Sequence, residues 1–470
     1  MDNYDFGNLF KSRDYLITAS KLASELNVEL YIVGGYIRDI LIGRSKYEID
    51  FLVIGDGTEF AQKFARTLQI ENTSIFKNFG TAHFKYREFD FEFVGARKES
   101  YSTNSRNPKV QVGSFEDDIA RRDFTINTLA VSLNENNFGK LIDLYNGVDD
   151  LEKNFIRTPL NPFETFNDDP LRILRAFRFA AQLQFEVSDE IMTAAKSLRE
   201  RLKIISQERI TNEFLKILSS PKPSVGLKLL NNSGVLEIIF PEITKLGGVE
   251  QRDDHHHKDV FLHTCIVVDN LAEVTENVWL RFAGLVHDIA KPMTKKFFEE
   301  IGWTFHGHEE IGARIMKGVF KRLKLPLYKL NYVEKLVRLH LRPIALVGEN
   351  VTDSAIRRLI VSADEDLDDL ITLCRADITS KNPNKVNKYL SNYELVMEKV
   401  KEVRDKDALR AFQSPVKGEE IMEIFNLQPS KKVGIIKTAI EDAILDGEIP
   451  NTYEAAKEFL DENKKKFAEL

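Results

Sequence analysis

Near Asp168 the hydrophobic pattern of this chain changes its period, and that switch limits the fold more than any other feature. Before it, from about Leu30 to Ala130, short β-rich runs (VELYIVGG, EIDFLVI and AHFKYREFDFEFVG) are interleaved with amphipathic segments such as Phe60, Phe64 and Leu68 at helical spacing. This pattern reads as an α+β head built on a small mixed sheet with helices. After it, a 3.6-residue period over residues 171–183, 210–218, 278–289 and 332–340 predicts an elongated body that is almost wholly helical. A chain of 470 residues also exceeds what one hydrophobic core organises. Breaks at Ser219-Ser220-Pro221 and around residues 241–254, and a lysine-rich stretch near 399–406, suggest four segments. These are a head at 1–155, a neck at 156–245, a histidine-rich unit at 246–400 and a helical tail at 401–470.

The composition, 43% hydrophobic and 30% charged, argues against long disorder or a fibrous repeat. No apolar stretch approaches the ~18 to 20 residues that cross a bilayer, and the first residues lack a basic start followed by an apolar run. No membrane partner is therefore expected, and the cytoplasm is the expected compartment. Cys265 and Cys374 each lie in an apolar run, which speaks for core positions rather than a disulfide or thiolate metal site. The net charge of −7 does not itself suggest a nucleic-acid partner, but phosphate binding needs only local positive potential. Basic stretches at Arg97-Lys98, Arg121-Arg122, residues 321–329 and residues 464–466 offer it, although solvated faces look the same.

In YIVGGYIRD a glycine pair stands between a β-rich run and a helix start, where backbone N–H groups without intrahelical partners can hold phosphate oxygens. Arg38, one turn on, offers a fork to the same phosphates. In EIDFLV, Glu48 and Asp50 are two apart in a strand, so their carboxylates leave the same face about 7 Å apart. Glu92, in FDFEFVGAR, lies in another β-rich run that can pair alongside and add a third acid. Hard oxygen ligands of this kind suit Mg²⁺, and two such ions can drive an in-line displacement at phosphorus. On these residues alone a plain strand-to-helix turn and an exposed charged face remain open.

GGYIRDILIG, EIDFLVIG and RRDFTINTLA, in that order, resemble the class of CCA-adding tRNA nucleotidyltransferases found in bacteria and eukaryotes and their poly(A) polymerase relatives. The likeness continues through LIDLYNGVDDLEKNFIRTP, NDDPLRILRAFRFAAQL and SQERITNEFLKIL, so it covers at least residues 30–218. It implies a polymerase-β-like head that adds nucleotides to the 3′ end of tRNA, with CTP and ATP as substrates and two Mg²⁺ ions in the head. By resemblance Glu48 and Asp50 are the metal-binding pair, Glu92 the third catalytic acid, and Gly34, Gly35 and Arg38 the phosphate turn. Arg121, Arg122, Asp123 and Asn127 match the segment that holds the ribose and triphosphate. Asp169 and Arg172 match the pair that reads the incoming base: Asp accepts from an exocyclic amine and Arg donates to ring acceptors, which suits C and A. The polar span 98–114 resembles the family's mobile loop. Two positions depart from the family, which usually has Asp where this chain has Glu48 and Glu where it has Asp168.

Of nine histidines, eight fall between His255 and His340. His287-Asp288 lies in the apolar run FAGLVHDIAKP, which reads as a helix, with His263 upstream and His308, His340 and Asp377 downstream. Imidazole and carboxylate together suit a divalent metal that activates water. This ordered set resembles the HD phosphohydrolase domain of some bacterial CCA-adding enzymes, whose substrate here stays open. The run His255-His256-His257 reads as a solvated loop. The tail resembles the C-terminal helices of HD-containing members, which implies a grip on the tRNA elbow by shape and phosphates. The expected function is thus CTP(ATP):tRNA nucleotidyl transfer without a template. A poly(A) polymerase, a CC-only or A-only enzyme, and an HD phosphohydrolase with a nucleotide-binding head are the alternatives. Oligomeric state stays open.

Overall fold

Strong alternation in the β-rich runs pairs them into one seven-stranded sheet in the order β3-β4-β5-β2-β1-β8-β9. Its strands are β1 (Glu29–Val33), β2 (Glu48–Ile54), β3 (Ser74–Phe76), β4 (Thr81–Tyr86), β5 (Phe89–Gly95), β8 (Ala130–Ser132) and β9 (Leu141–Ile142), while β6 (Arg97–Ser102) and β7 (Ser105–Val112) form a separate antiparallel pair. Strands β2 and β5 run parallel, and the other neighbours in the sheet are antiparallel. The computed structural model describes residues 6–76, 80–102, 105–253, 256–300, 302–347, 351–380, 382–407 and 414–468. Within these the chain divides into two compact units, Met1–Thr244 and Lys245–Leu470.

The two faces of the sheet have different fates. On one, Phe51, Phe91, Phe93 and Phe84 form an aromatic layer, with the Phe51 and Phe93 rings stacked at 4.6 Å. Phe60 and Phe64 of the helix Gly57–Thr67 close over Phe93 at 5.9 Å each. Full burial of each such ring stabilises by roughly 1.5–3 kcal/mol. On the other face Tyr31, Val33, Leu52 and Ala130 pack against Phe115 and Ile119 of the helix Phe115–Ala120. That cover stops short of the start of β2, and there the same face carries acids instead.

The polar span 98–114, expected as a loop, is largely paired in the β6–β7 hairpin, with a register irregularity between Ser100 and Ser102. Residues 103 and 104 lie outside the described residues. The helical reading beyond Asp168 holds at Leu171–Leu183, Gln207–Leu218, Val278–Val286 and Leu330–Leu339. Small parallel strands β10 (Phe155–Ile156) and β11 (Glu186–Val187) brace the first of these. In the second unit the helices Val260–Val274, Val278–Val286, His308–Arg322, Leu330–Leu339 and Leu367–Ala376 pack on one another, and both cysteines are buried as thiols rather than joined in a disulfide. Two hairpins that helical periodicity passes over interrupt them: β12 (Glu250–Asp253) with β13 (His256–Asp259), and β14 (Lys296–Phe298) with β15 (Gly302–Thr304). Of the His255–His257 run, expected as a loop, His256 and His257 fall in β13 and His255 lies outside the described residues. The C-terminal helices have a core of their own around Ile421, Ile436, Ile440 and Leu460. No described helix is long and apolar enough to cross a membrane.

Candidate active site and metal centre

Register decides where the head acids meet. Asp50 on β2 is the direct partner of Glu92 on β5, and Glu48 is the partner of Asp90. Residues paired across strands share a face, and so do residues two apart along one strand. Glu48, Asp50 and Glu92 therefore stand together, with Asp90 beside them and His83 of β4 paired with Glu92. Burial raises the pKa of Asp50, with Glu48 adding to the rise while Lys46 and Arg122 oppose it. The pKa of Glu92 is also raised, by the protein packed around it and by the Asp50 charge. Glu48 is exposed, and its carboxylate sits 3.1 Å from Lys46 Nζ.

The glycine pair lies against these acids. Gly34 has φ +78°, a conformation that favours glycine, and precedes the helix Gly35–Leu41. A Cβ there would meet Arg122 Nη1 at 3.0 Å and Asp50 Oδ2 at 3.6 Å, so the backbone comes close to both charges because no side chain intervenes. The Arg38 fork is turned to the protein: Nε and Nη2 donate to Asp39, and Nη1 donates to Asn127 Oδ1 at 2.7 Å. Arg121 and Arg122 both donate to the buried Asp118. Asp123 accepts from Phe124 N, from the Asn127 amide and from Arg175 Nε at 2.7 Å. Burial alone would raise its pKa, but Arg175 and Asn127 outweigh burial and lower it to about 2.

Asp169 closes the helix Pro162–Asp168 and precedes the helix Leu171–Leu183, where its Oδ1 accepts from Leu171 N at 3.0 Å and its Oδ2 from Arg209 at 3.3 Å. Arg172 donates to the carbonyls of Thr165 and Arg121. Asp168 is the last residue of its helix. All twelve nucleotide-site residues singled out in the sequence, ten in the head and two in the neck, line one cleft of about 1070 Å³. Nine arginines and two lysines line it against six acids, a positive excess in a chain whose net charge is −7.

In the second unit His263, His287, Asp288, His308, His340 and Asp377 converge. His287 does not continue a helix: the helix Val278–Val286 stops just before it. The backbone bonds tighten there to i→i−3, from Ile289 N to Val286 O and from Lys291 N to Asp288 O, and Pro292 sits in the first turn of the short helix Lys291–Thr294. His287 Nδ1 faces the carbonyl of Gly284 at 2.8 Å, His308 Nδ1 that of Phe305 at 2.7 Å and His340 Nδ1 that of Val337 at 2.6 Å. A carbonyl only accepts, so in these rings Nδ1 carries a hydrogen and Nε2 is the nitrogen that faces inward. Asp288 lies 3.2 Å from both His287 Nε2 and His308 Nε2, and Asp377 lies 2.9 Å from His263 Nε2. Two ligand groups share Asp288, one with His263 and His287 and the other with His308 and His340. Burial pushes His340 down to about 4, keeping its ring neutral. Burial would also lower His287, but Asp288 and Asp377 raise it to about 10. Inward-facing Nε2 atoms beside carboxylates, with His287 giving up its Nε2 proton on binding, would make the donor set of a divalent cation.

The family described as Poly A polymerase head domain matches residues 30–157, the Probable RNA and SrmB- binding site of polymerase A matches residues 184–246, and the HD domain matches residues 260–380. A Multifunctional CCA protein of Ectopseudomonas mendocina is 33% identical over 313 residues, 64% of this chain and 71% of that one. The chain belongs to the CCA-adding tRNA nucleotidyltransferase family. Another family member, the A-adding tRNA nucleotidyltransferase of Aquifex aeolicus, is 36% identical over 274 residues, and the chain spans about a third (32%) of its length. A tRNA nucleotidyltransferase solved with a primer tRNA and an incoming ATP analog is similar at TM-score 0.58 and 26% identity, covering 82% of this chain and 99% of that one. The CCA-adding enzyme of Bacillus stearothermophilus solved with CTP shares the fold at TM-score 0.68 and 21% identity, covering 96% and 97%.

Within this family member several residues of both sites escaped the sequence reading. Arg175 and Arg178 follow Arg172 at helical spacing and line the same cleft, a signal that the three-residue interval in LRILRAFR carries. Asp90 shares a face with Glu92 by strand alternation, and Lys291, three residues past Asp288, reaches its Oδ2 at 2.6 Å. Lys46 stands two residues before Glu48 in a segment without periodicity, and Arg209 arrives through the fold from forty residues beyond Asp169.

Proposed function

We propose that this chain adds C and A nucleotides to the 3′ end of tRNA, taking CTP and ATP and using no nucleic-acid template. The reading rests on one cleft in which a carboxylate face, a glycine turn and an Asp–Arg pair come together. Asp50 and Glu92 both have pKa values pushed up by their surroundings and by each other's or a neighbour's charge, a conflict that bound cations would relieve. Glu48, Asp50 and Glu92 would hold two Mg²⁺, which when bound lower the pKa of the attacking 3′ hydroxyl and neutralise the leaving pyrophosphate.

The protein's own part is positioning. The glycine turn leaves room for triphosphate oxygens, and Arg121 and Arg122, already oriented by Asp118, supply fixed positive charge. Asp123 keeps Asn127 and Arg175 in place, and Asn127 in turn holds Arg38. Asp169 accepts from the exocyclic amine of the base and Arg172 donates to its ring acceptors, so side chains do the work of a template. On this reading residues 1–155 polymerise, 156–245 read the base and hold RNA, and 401–470 grip the tRNA elbow. Residues 246–400 carry a divalent ion on His263, His287, Asp288, His308, His340 and Asp377 and hydrolyse a phosphate ester.

The test offers tRNA lacking its last three nucleotides with each NTP separately and in pairs. CTP should be incorporated first and ATP only after it; if neither enters, the reading is wrong. A-addition alone is the second reading, favoured by the 36% identity to an A-adding relative. It predicts that only tRNA ending in CC is extended. Extension beyond the third nucleotide would instead mark a poly(A) polymerase.

A further inference from the structure

Between Asp288 and His308 the chain makes the β14–β15 hairpin, and its side chains are arranged in a way that the metal cluster does not require. Phe297 and Trp303 are cross-strand partners with ring centroids 5.1 Å apart at 66°. Both are exposed, at 58% and 41%, as are Phe298 and Met293 nearby. A hairpin with three residues in each strand has little stability of its own, so leaving its aromatic rings in water is costly unless something covers them.

Charge on the hairpin identifies the occupant. Lys295 Nζ lies 4.3 Å from the Trp303 ring centroid, and Lys296 follows it, whereas the exposed Glu299 and Glu300 are at the tip. Positive charge thus gathers at the base of the hairpin. From there a track leads inward: Phe305 lies two residues past Trp303, Lys291 Nζ is 5.7 Å from the Phe305 ring, and the same amine is 2.6 Å from Asp288 Oδ2. The Phe305 carbonyl also accepts from His308 Nδ1 at 2.7 Å. Aromatic faces interleaved with lysines suit unpaired nucleotides, whose bases stack while their phosphates follow the positive charge.

We propose that this hairpin is a stacking platform for unpaired ribonucleotides at an RNA end, with the bases on Phe297 and Trp303 and a terminal phosphate directed along Lys295 and Lys291 toward the histidine–aspartate cluster. It rests on the phosphohydrolase reading of that cluster only for the destination of the phosphate. The stacking itself can be tested separately.

Only two tryptophans are present, so Trp279→Phe in the full chain leaves Trp303 as the sole indole reporter. Titration with a single-stranded RNA hexanucleotide bearing a 3′ phosphate should quench Trp303 fluorescence, and a blunt RNA duplex should not. Phe297→Ala in that background should raise the dissociation constant roughly five- to hundred-fold, the range expected for one lost base stack. Phe297→Tyr should restore it, and the far-UV circular dichroism and melting temperature of the Phe297→Ala chain should match the parent's, which shows that the unit carrying the hairpin is still folded. Absence of quenching at saturating RNA, equal quenching by the duplex, or concentration-dependent self-association that masks Trp303 each overturns the platform. Quenching should persist when chelator strips the cluster of metal, because stacking needs no ion; an RNA that quenches Trp303 yet keeps its 3′ phosphate with divalent metal present supports the platform and counts against the hydrolytic reading alone.

Discussion

Asp50 and Glu92 are direct partners across the parallel strands β2 and β5, so one register joins a carboxylate of each strand on the face that also carries Glu48. A slip of one residue would turn Asp50 into the phenylalanine layer. The arrangement sets charge against stability, since the pKa of both acids is raised in the fold. Asp50→Asn should therefore cut nucleotide incorporation by about 1000-fold or more, the scale of losing a metal-held transition-state interaction. In chelator at neutral pH its melting temperature should equal or exceed that of the parent, because the substitution removes an unfavourable buried charge. Incorporation within tenfold of the parent would remove the acids from the mechanism.

Asp123 behaves in the opposite way. Its folded pKa, about 2, lies below the ordinary 3.8 because Arg175 and Asn127 overcome its burial. Its stabilisation is therefore complete above the unfolded value and is lost as pH falls through the folded one. The difference corresponds to about 2 kcal/mol. Urea denaturation should find Asp123→Asn less stable than the parent by about that amount at pH 7, with the gap closing between about pH 4 and pH 2. A gap that persists at pH 2 would assign the loss to packing rather than to the ion pair.

Some of this was legible because it is local. Strand alternation alone puts Glu48 and Asp50 on one face, and the glycine pair marks the turn beside them. That β5 lies next to β2, bringing in Glu92, depends on non-local pairing; the β-rich run around Glu92 showed that it could pair there, and the family resemblance selected that pairing. Arg209 reaches Asp169 from a helix forty residues on, and Lys46 reaches Glu48 from a loop; neither position has a periodicity to read. The apolar run through His287 reads as one helix because hydrophobicity does not register that the backbone tightens to i→i−3 bonds between residues 286 and 291. The β14–β15 hairpin was hidden for a related reason, since three-residue strands are too short for a period to emerge.

Asp169 shares its carboxylate between the Leu171 backbone and Arg209, which leaves its orientation dependent on a partner from another helix. The pair is partly exposed at 3.3 Å, so it is worth less than about 1 kcal/mol. Arg209→Ala should raise KM for CTP and ATP by about three- to fivefold while leaving kcat nearly unchanged, and misincorporation of UTP and GTP should rise. Competition between paired nucleotides on one tRNA gives the ratio directly, and an unchanged ratio would mean that Arg209 does not orient the base reader.

Asp288 belongs to both ligand groups of the second unit, whereas His308 and His340 serve one and His263 and His287 the other. Its substitution is therefore the most severe single change the cluster can suffer. Asp288→Asn keeps the shape but removes the charge that balances His287 and Lys291. Elemental analysis should find the variant stripped of divalent metal, while His308→Ala retains part of it. A ligand present at a hundred times its dissociation constant stabilises by about 2.7 kcal/mol. Chelation should accordingly lower the melting temperature of the parent by about 5 to 10 °C and leave the variant unmoved. Nucleotide incorporation by the head should be unaffected in both, because its acids lie in the other unit. A parent that neither carries metal nor responds to chelator would show that the converging imidazoles are held by their carboxylates alone.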